Sequence, residues 1–161
     1  MIVVGCSGVG MSMAWSHRRK GAELRQLLSA LEYMQCELQY RLSTLPDLCR
    51  QAAAHTTGSI KLLFTALAEE LEDQISPDVQ LCMNAAVRKA KNLSDEAATV
   101  AVNLGKNLGR FDLNGQLLGL ESARQACRHA LAKVESNQAT KLQSYQTLGL
   151  CAGAALAILF L

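Results

Sequence analysis

The sequence predicts an all-α fold: two long terminal helices forming an antiparallel hairpin that enters a membrane, and about three to four shorter helices in a small cytoplasmic bundle at the hairpin's far end. Three observations carry this. The 161 residues include only 2 prolines and show no alternation of strand and helix patterns, which argues against a chain of many turns and short strands. Apolar residues recur at three- and four-residue steps through the middle of the chain. The charges are segregated: all 16 Lys+Arg and 14 Asp+Glu lie between Arg18 and Lys141, so both ends are uncharged.

The first element begins in the stretch from Met1 to Ser16, followed by His17 and the cations Arg18, Arg19 and Lys20. Sixteen helical residues reach roughly 24 Å, short for a bilayer unless flanking residues help. Trp15 suits an interface, and the cations can extend their charged heads into water. A secretory signal puts its positive charge before the apolar run, whereas here it follows. That order predicts an outside N-terminus and a cytoplasmic basic flank. Residues 1–17 are therefore expected to be a transmembrane segment. Gly5 to Ser12 matches the phosphate-binding pattern G-x-x-x-x-G-K-[ST] except that Met11 replaces the lysine, and the lysine is what meets the phosphates. The glycines are better read as small residues of a helix.

From Glu23 onward, Leu24, Leu27, Leu28, Leu31, Met34, Leu38 and Leu42 form one helical stripe, with Arg25, Glu32, Glu37 and Arg41 largely off it. Ser43 to Asp47 ends this first helix. Thr44 is expected to cap the next, with Pro46 in its first turn, and Gly58 to close it. Ile60 to Asp73 follows, with Leu63, Leu67 and Leu71 inward and Glu69, Glu70, Glu72 and Asp73 solvated. Ser76-Pro77 is expected to start another helix, with Val79, Met83, Ala86 and Val87 on its inner face. Ser94, followed by Asp95 and Glu96, starts one more, which Gly105 and Gly109 are expected to punctuate.

Asp112 or Asn114 caps the last helix, and no proline interrupts the chain from there to Leu161. Its final stretch, residues 142–161, is the second expected transmembrane segment, since 20 helical residues span about 30 Å. Tyr145 lies at an interfacial position, and Gly149, Gly153 and Ala157 form a small-residue face suited to close packing of membrane helices. Residues 18–141 then form a cytoplasmic helical domain, with both termini outside.

Catalytic and metal chemistry find no foothold. The 6 cysteines include no C-x-x-C, and His17, His55 and His129 are far apart. Cys127 and His129 sit on successive faces of one helix, a poor chelate. Glu32 and Glu37, five residues apart, do not share a face for acid–base work. A formal net charge of +2 is too balanced for a dedicated nucleic-acid binder. The expectation is a non-enzymatic chain with no metal, no cofactor and no nucleic-acid partner.

Two stretches carry a family resemblance. One runs from Leu31 to Tyr40 and on through Leu45-Pro46-Asp47-Leu48; the other runs from Leu104 to Asp112, with Gln116 beyond it. With the overall plan, they resemble the stage III sporulation protein AB family. The resemblance implies a component of the channel complex between mother cell and forespore, placed in the mother-cell membrane. It also implies likeness to the inner-membrane platform proteins of type II secretion and type IV pilus machines, which dock a hexameric ATPase. The implied partners are an ATPase of the stage III sporulation AA type, other subunits of the complex, the lipid bilayer and further copies of the chain. Glu37, Tyr40, Pro46, Gly105, Gly109, Asp112 and Gln116 match the family pattern, and Glu37 or Tyr40, both on the first long helix, is placed to hydrogen-bond across to the last. The chain departs from the pattern at Gln35, where the family tends to carry a glutamate, at Thr44 (often proline) and at Leu104 (often phenylalanine). The competing reading is a membrane-tethered adaptor or signalling module that dimerises through its long helices. That reading needs a longer heptad seam than Leu24 to Leu42 offers before Pro46.

Overall fold

A computed structural model describes residues 18–40, 43–73, 78–108 and 113–136 in full; for residues 3–17, 41 and 137–159 it gives a helical backbone alone. The elements are α1 (Val3–Arg41), α2 (Leu45–Ala54), α3 (Gly58–Asp73), α4 (Val79–Lys89), α5 (Asp95–Asn107) and α6 (Leu113–Leu159), with no strand among the described residues.

The predicted stripe of α1 is the spine of the core. Leu24, Leu27, Leu31 and Met34 are fully buried, and Leu38 nearly so. Each such side chain contributes about 1.5–3 kcal/mol by leaving water. α6 runs antiparallel to α1. Arg25 meets Glu135 at 2.9 Å and Glu32 meets Arg128 at 3.2 Å, so seven residues up one helix correspond to seven down the other. The Cys127 thiol of α6 also donates to the Leu24 carbonyl of α1, at 3.2 Å.

The four short helices alternate in direction beside this hairpin. α2 packs on α3, α3 on α4, α4 on α5 and α5 on α6, while α1 touches α2, α3 and α5. Ile60, Leu63, Phe64 and Leu67 of α3, Met83 of α4 and Leu104 of α5 complete the core. The apolar faces named from the sequence are thus inward among the described residues, with Leu28 and Val87 partly buried; Leu42 lies outside the described residues.

The helix ends differ in detail. Thr44 has the extended backbone of a cap, but its hydroxyl donates to Asp47 at 2.6 Å and caps no backbone N–H. α2 stops at Ala54, before the expected Gly58. The buried Thr56 ends it by donating its hydroxyl to the Ala52 and Ala53 carbonyls, at 3.0 and 3.3 Å. Gly58, at φ +60°, instead turns the chain into α3. α4 is capped by Asp78, which accepts from the Gln80 N–H at 3.0 Å; Ser76 and Pro77 lie outside the described residues. Ser94 caps α5 as expected, accepting from the Ala97 N–H at 3.4 Å.

The hairpin is present, but among the described residues no helix is long and apolar enough to cross a membrane. The expected spans, residues 1–17 and 142–161, lie outside the residues whose side chains are described, as do Gly149, Gly153 and Ala157. Gly5 to Ser12 is part of α1, a continuous helix and not the strand-to-loop turn that a phosphate cradle requires.

Candidate functional site

One end of the bundle gathers residues from separate parts of the sequence. There α1 ends at Arg41, α2 starts at Leu45, α5 ends at Asn107 and α6 starts at Leu113. The pairing of α1 with α6 and of α5 with α6 joins these four ends. Gly119 lies so close to α5 that a Cβ there would be 2.8 Å from the Cβ of Asn107. Glu37, Tyr40, Pro46, Gly105 and Gln116 all belong to this end; Gly109 and Asp112 lie outside the described residues.

The structure gives several of these residues a job. Pro46 occupies the first turn of α2, where its missing N–H costs nothing. Gly105 does not punctuate α5: the helix runs on to Asn107. A Cβ at Gly105 would fall 2.6 Å from the Cβ of Met83, so the glycine permits α4 and α5 to approach. Ala97, Ala101 and Gly105 form a buried ridge of small residues at four-residue spacing, which sets that approach. Glu37 and Gln116 are half-buried.

Tyr40 is different. It is 78% exposed, so it does not hold α1 to α6 as expected. Leu118 of α6 is 73% exposed, and Leu113, at the start of α6, is also exposed. Tyr40 lies in the last turn of α1 and Leu118 in the second turn of α6, both at this end of the hairpin. The end therefore presents an aromatic ring and two leucines to solvent.

Arg124 and Arg128 of α6, which the sequence did not single out, bond across the hairpin. Arg124, whose side chain is only 18% exposed, donates to Gln35 at 2.5 Å, to Glu121 at 2.7 Å and to Glu32 at 3.2 Å. Arg128 also reaches Glu32, at 3.2 Å. The signal was available in the helical spacing of Glu32 with Gln35 and of Glu121, Arg124 and Arg128. Gln35, which departs from the family's glutamate, is thus a partner of Arg124.

At the opposite end, Glu23 is a buried carboxylate. It accepts from the Ser59 hydroxyl at 2.7 Å and the Ser94 N–H at 3.0 Å, and lies 3.5 Å from Arg19. These contacts tie α1 to the starts of α3 and α5, where helix dipoles favour an anion. Of the expected membrane-flanking cations, Arg18 is exposed, Arg19 donates to the Asn92 carbonyl at 3.0 Å, and Lys20 pairs with Glu96 at 3.1 Å.

The described cysteines Cys36, Cys49, Cys82 and Cys127 are free thiols. Burial pushes Cys49 up to about 12 and Cys127 up to about 11, which keeps both protonated and unreactive at neutral pH. Among the described residues, no group of three or more His, Cys, Asp or Glu side chains is placed to hold a metal ion.

The class that these features define is an up-and-down helical bundle mounted on a long terminal hairpin, with an exposed apolar tip. The family described as stage III sporulation protein AB matches residues 1–161, and the chain belongs to that family. A relative from Bacillus subtilis (strain 168), named stage III sporulation protein AB, is 25% identical over 163 residues, covering 99% of this chain and 95% of the relative. A solved structure of a stage III sporulation protein AB superimposes with a TM-score of 0.67 at 22% identity, covering 76% of this chain and 98% of that one. This last likeness speaks for the fold.

Proposed function

We propose that this chain is a non-enzymatic membrane platform of the sporulation channel complex between mother cell and forespore, and that its exposed tip docks a hexameric ATPase of the stage III sporulation AA type. In this reading, residues 1–17 and 142–161 cross the mother-cell membrane around the forespore, with both termini outside. The bundle between them lies in the cytoplasm and works with other subunits of the complex.

The observation that carries the docking reading is the exposure of Tyr40. It matches the family pattern, yet it is 78% exposed. Pro46 and Gly105 have structural jobs that explain their identity; an exposed tyrosine at the same end as exposed leucines fits a surface that another protein covers. The adaptor reading is weaker. A coiled-coil dimer needs the apolar stripe of α1, and Leu24, Leu27, Leu31 and Met34 are already spent inside the bundle.

The test is co-purification of the detergent-solubilised full-length chain with the ATPase. Retention of the ATPase, reduced at least about tenfold by Tyr40→Ala with Leu118→Ser, is the expected result, as for loss of a central anchor. Undiminished binding by that variant removes the tip from the proposal. A chain recovered alone, as a dimer, favours the adaptor reading.

A further inference from the structure

The bundle is electrically polar along its length. The corner between α3 and α4 carries Glu69, Glu70, Glu72, Asp73 and Asp78; Glu70 is paired with Lys89 at 2.6 Å and Glu72 with Arg50. This corner points away from the end where Glu23 binds Ser59, because α3 starts there and runs 16 residues, about 24 Å, before reaching it.

The Glu23 end is basic, and the cations come from two places far apart in sequence. Arg18 and Arg19 open the charged part of α1. The turn between α4 and α5 is fastened beside them. Arg19 donates to the Asn92 carbonyl, Lys20 pairs with Glu96, and Glu23 takes the Ser94 N–H. Asn92, at φ +65°, bends the chain there, with the exposed Lys91 immediately before it and the exposed Arg88 in the last turn of α4. Among the described residues, Arg18, Arg88 and Lys91 make no ion pair. Two of the acids at this end are already used: Glu23 is buried against Arg19, and Glu96 holds Lys20. The exposed Asp95 opposes them, but it lies in the first turn of α5, where the dipole holds it.

α1 and α6 leave the bundle at this same end, and their continuations are the two uncharged stretches of the sequence. We propose that the α4–α5 turn is a second membrane contact, with Lys91 and Arg88 joining Arg18 and Arg19 on the anionic phospholipid headgroups. The bundle then stands upright, its acidic α3–α4 corner directed away from the bilayer. This rests on the reading that the uncharged ends span the membrane. A cation within a Debye length of ~8–10 Å of an anionic leaflet gains about fivefold in its preference for that surface. Glu70 and Glu72 are neutralised by Lys89 and Arg50, and Asp73 stands at the far end of α3, about 24 Å from its start, so the corner's repulsion does not oppose the stance.

The test uses the full-length chain reconstituted into vesicles of phosphatidylcholine alone, or with about 30% phosphatidylglycerol. Flotation shows whether the chain is in the membrane; amine acylation followed by mass spectrometry reads each lysine. The expected result is that phosphatidylglycerol slows acylation of Lys91 about fivefold, that about 0.5 M salt reverses the protection, and that Lys106, near the other end of α5, is unaffected. A chain that floats while Lys91 is acylated equally in both vesicles overturns the contact and leaves the membrane placement standing. A chain that does not float overturns both.

Discussion

Removing the Glu23 carboxylate tests whether one buried side chain joins three helices. In Glu23→Ala, the Ser59 hydroxyl and the Ser94 N–H lose an ionised acceptor at 2.7 and 3.0 Å. Hydrogen bonds to a charged group are worth about 1.5–3 kcal/mol each when buried. Glu23 is 8% exposed, and water can reach part of the vacated site, so the lower figure applies to each. The Arg19 ion pair, with an arginine side chain 57% exposed, adds little. The expected cost is about 3 kcal/mol, or a fall in Tm of about 6–12 °C for a chain of this size. The assay is thermal unfolding of the detergent-solubilised full-length chain, followed by helical circular dichroism. Glu23→Gln, which keeps one acceptor oxygen, should fall between wild type and Glu23→Ala. A Glu23→Ala variant within about 0.5 kcal/mol of wild type would refute the reasoning, since that is the range of an ordinary surface substitution.

Three further outcomes follow from the same geometry. Arg25→Ala breaks the exposed pair with Glu135 and should change stability by less than about 1 kcal/mol in the same unfolding assay. Gly105→Ala drives a Cβ against Met83 and should destabilise by about 1–3 kcal/mol; a double-mutant cycle with Met83→Gly, which removes the opposing Cβ, should reveal favourable coupling between the two substitutions. The Cys49 thiol is raised from 9.0 to about 12 by burial, so the native state favours the neutral form. Its stabilising effect is complete below pH 9.0 and is lost as pH rises toward about 12. Denaturant titrations should show wild type losing stability over that range faster than Cys49→Ala.

Local pattern was legible where one helix determines it. The stripe from Leu24 to Leu38 marked the buried face of α1, and Ser94 with Asp95 and Glu96 marked the start of α5. What the sequence hid was chosen by neighbours. Gly105 reads as a helix end until Met83 is placed against it; the clue is that Ala97 and Ala101 precede it at four-residue steps on the same face. Gly58 reads as the end of α2 until the Thr56 hydroxyl is seen on the Ala52 and Ala53 carbonyls. Glu23 stands four residues before Leu27, an acid on an apolar face, and that position marks it as buried. Its partners Ser59 and Ser94 lie 36 and 71 residues away, beyond the reach of any local pattern.

The candidate site divides in the same way. That Glu37, Tyr40, Pro46, Gly105 and Gln116 share one end of the bundle follows from the packing of the short helices along the hairpin, whereas the sequence placed those helices as a bundle at its far end. Their separate roles did not follow. Tyr40 was expected to reach α6 and instead faces solvent, because it lies two residues beyond Leu38 and so about 200° around the helix from the core. Arg124 took the bridging role by meeting Gln35 and Glu32.

The most direct measurement of the docking claim is site-specific photo-crosslinking in the assembled full-length protein. A photo-reactive phenylalanine analogue is placed at Tyr40 or at Leu62, an exposed residue near the start of α3 at the other end of the bundle. The account predicts an adduct with the ATPase from position 40 and none from position 62. An adduct from position 62 alone, or from neither position while the two proteins remain associated, would contradict it.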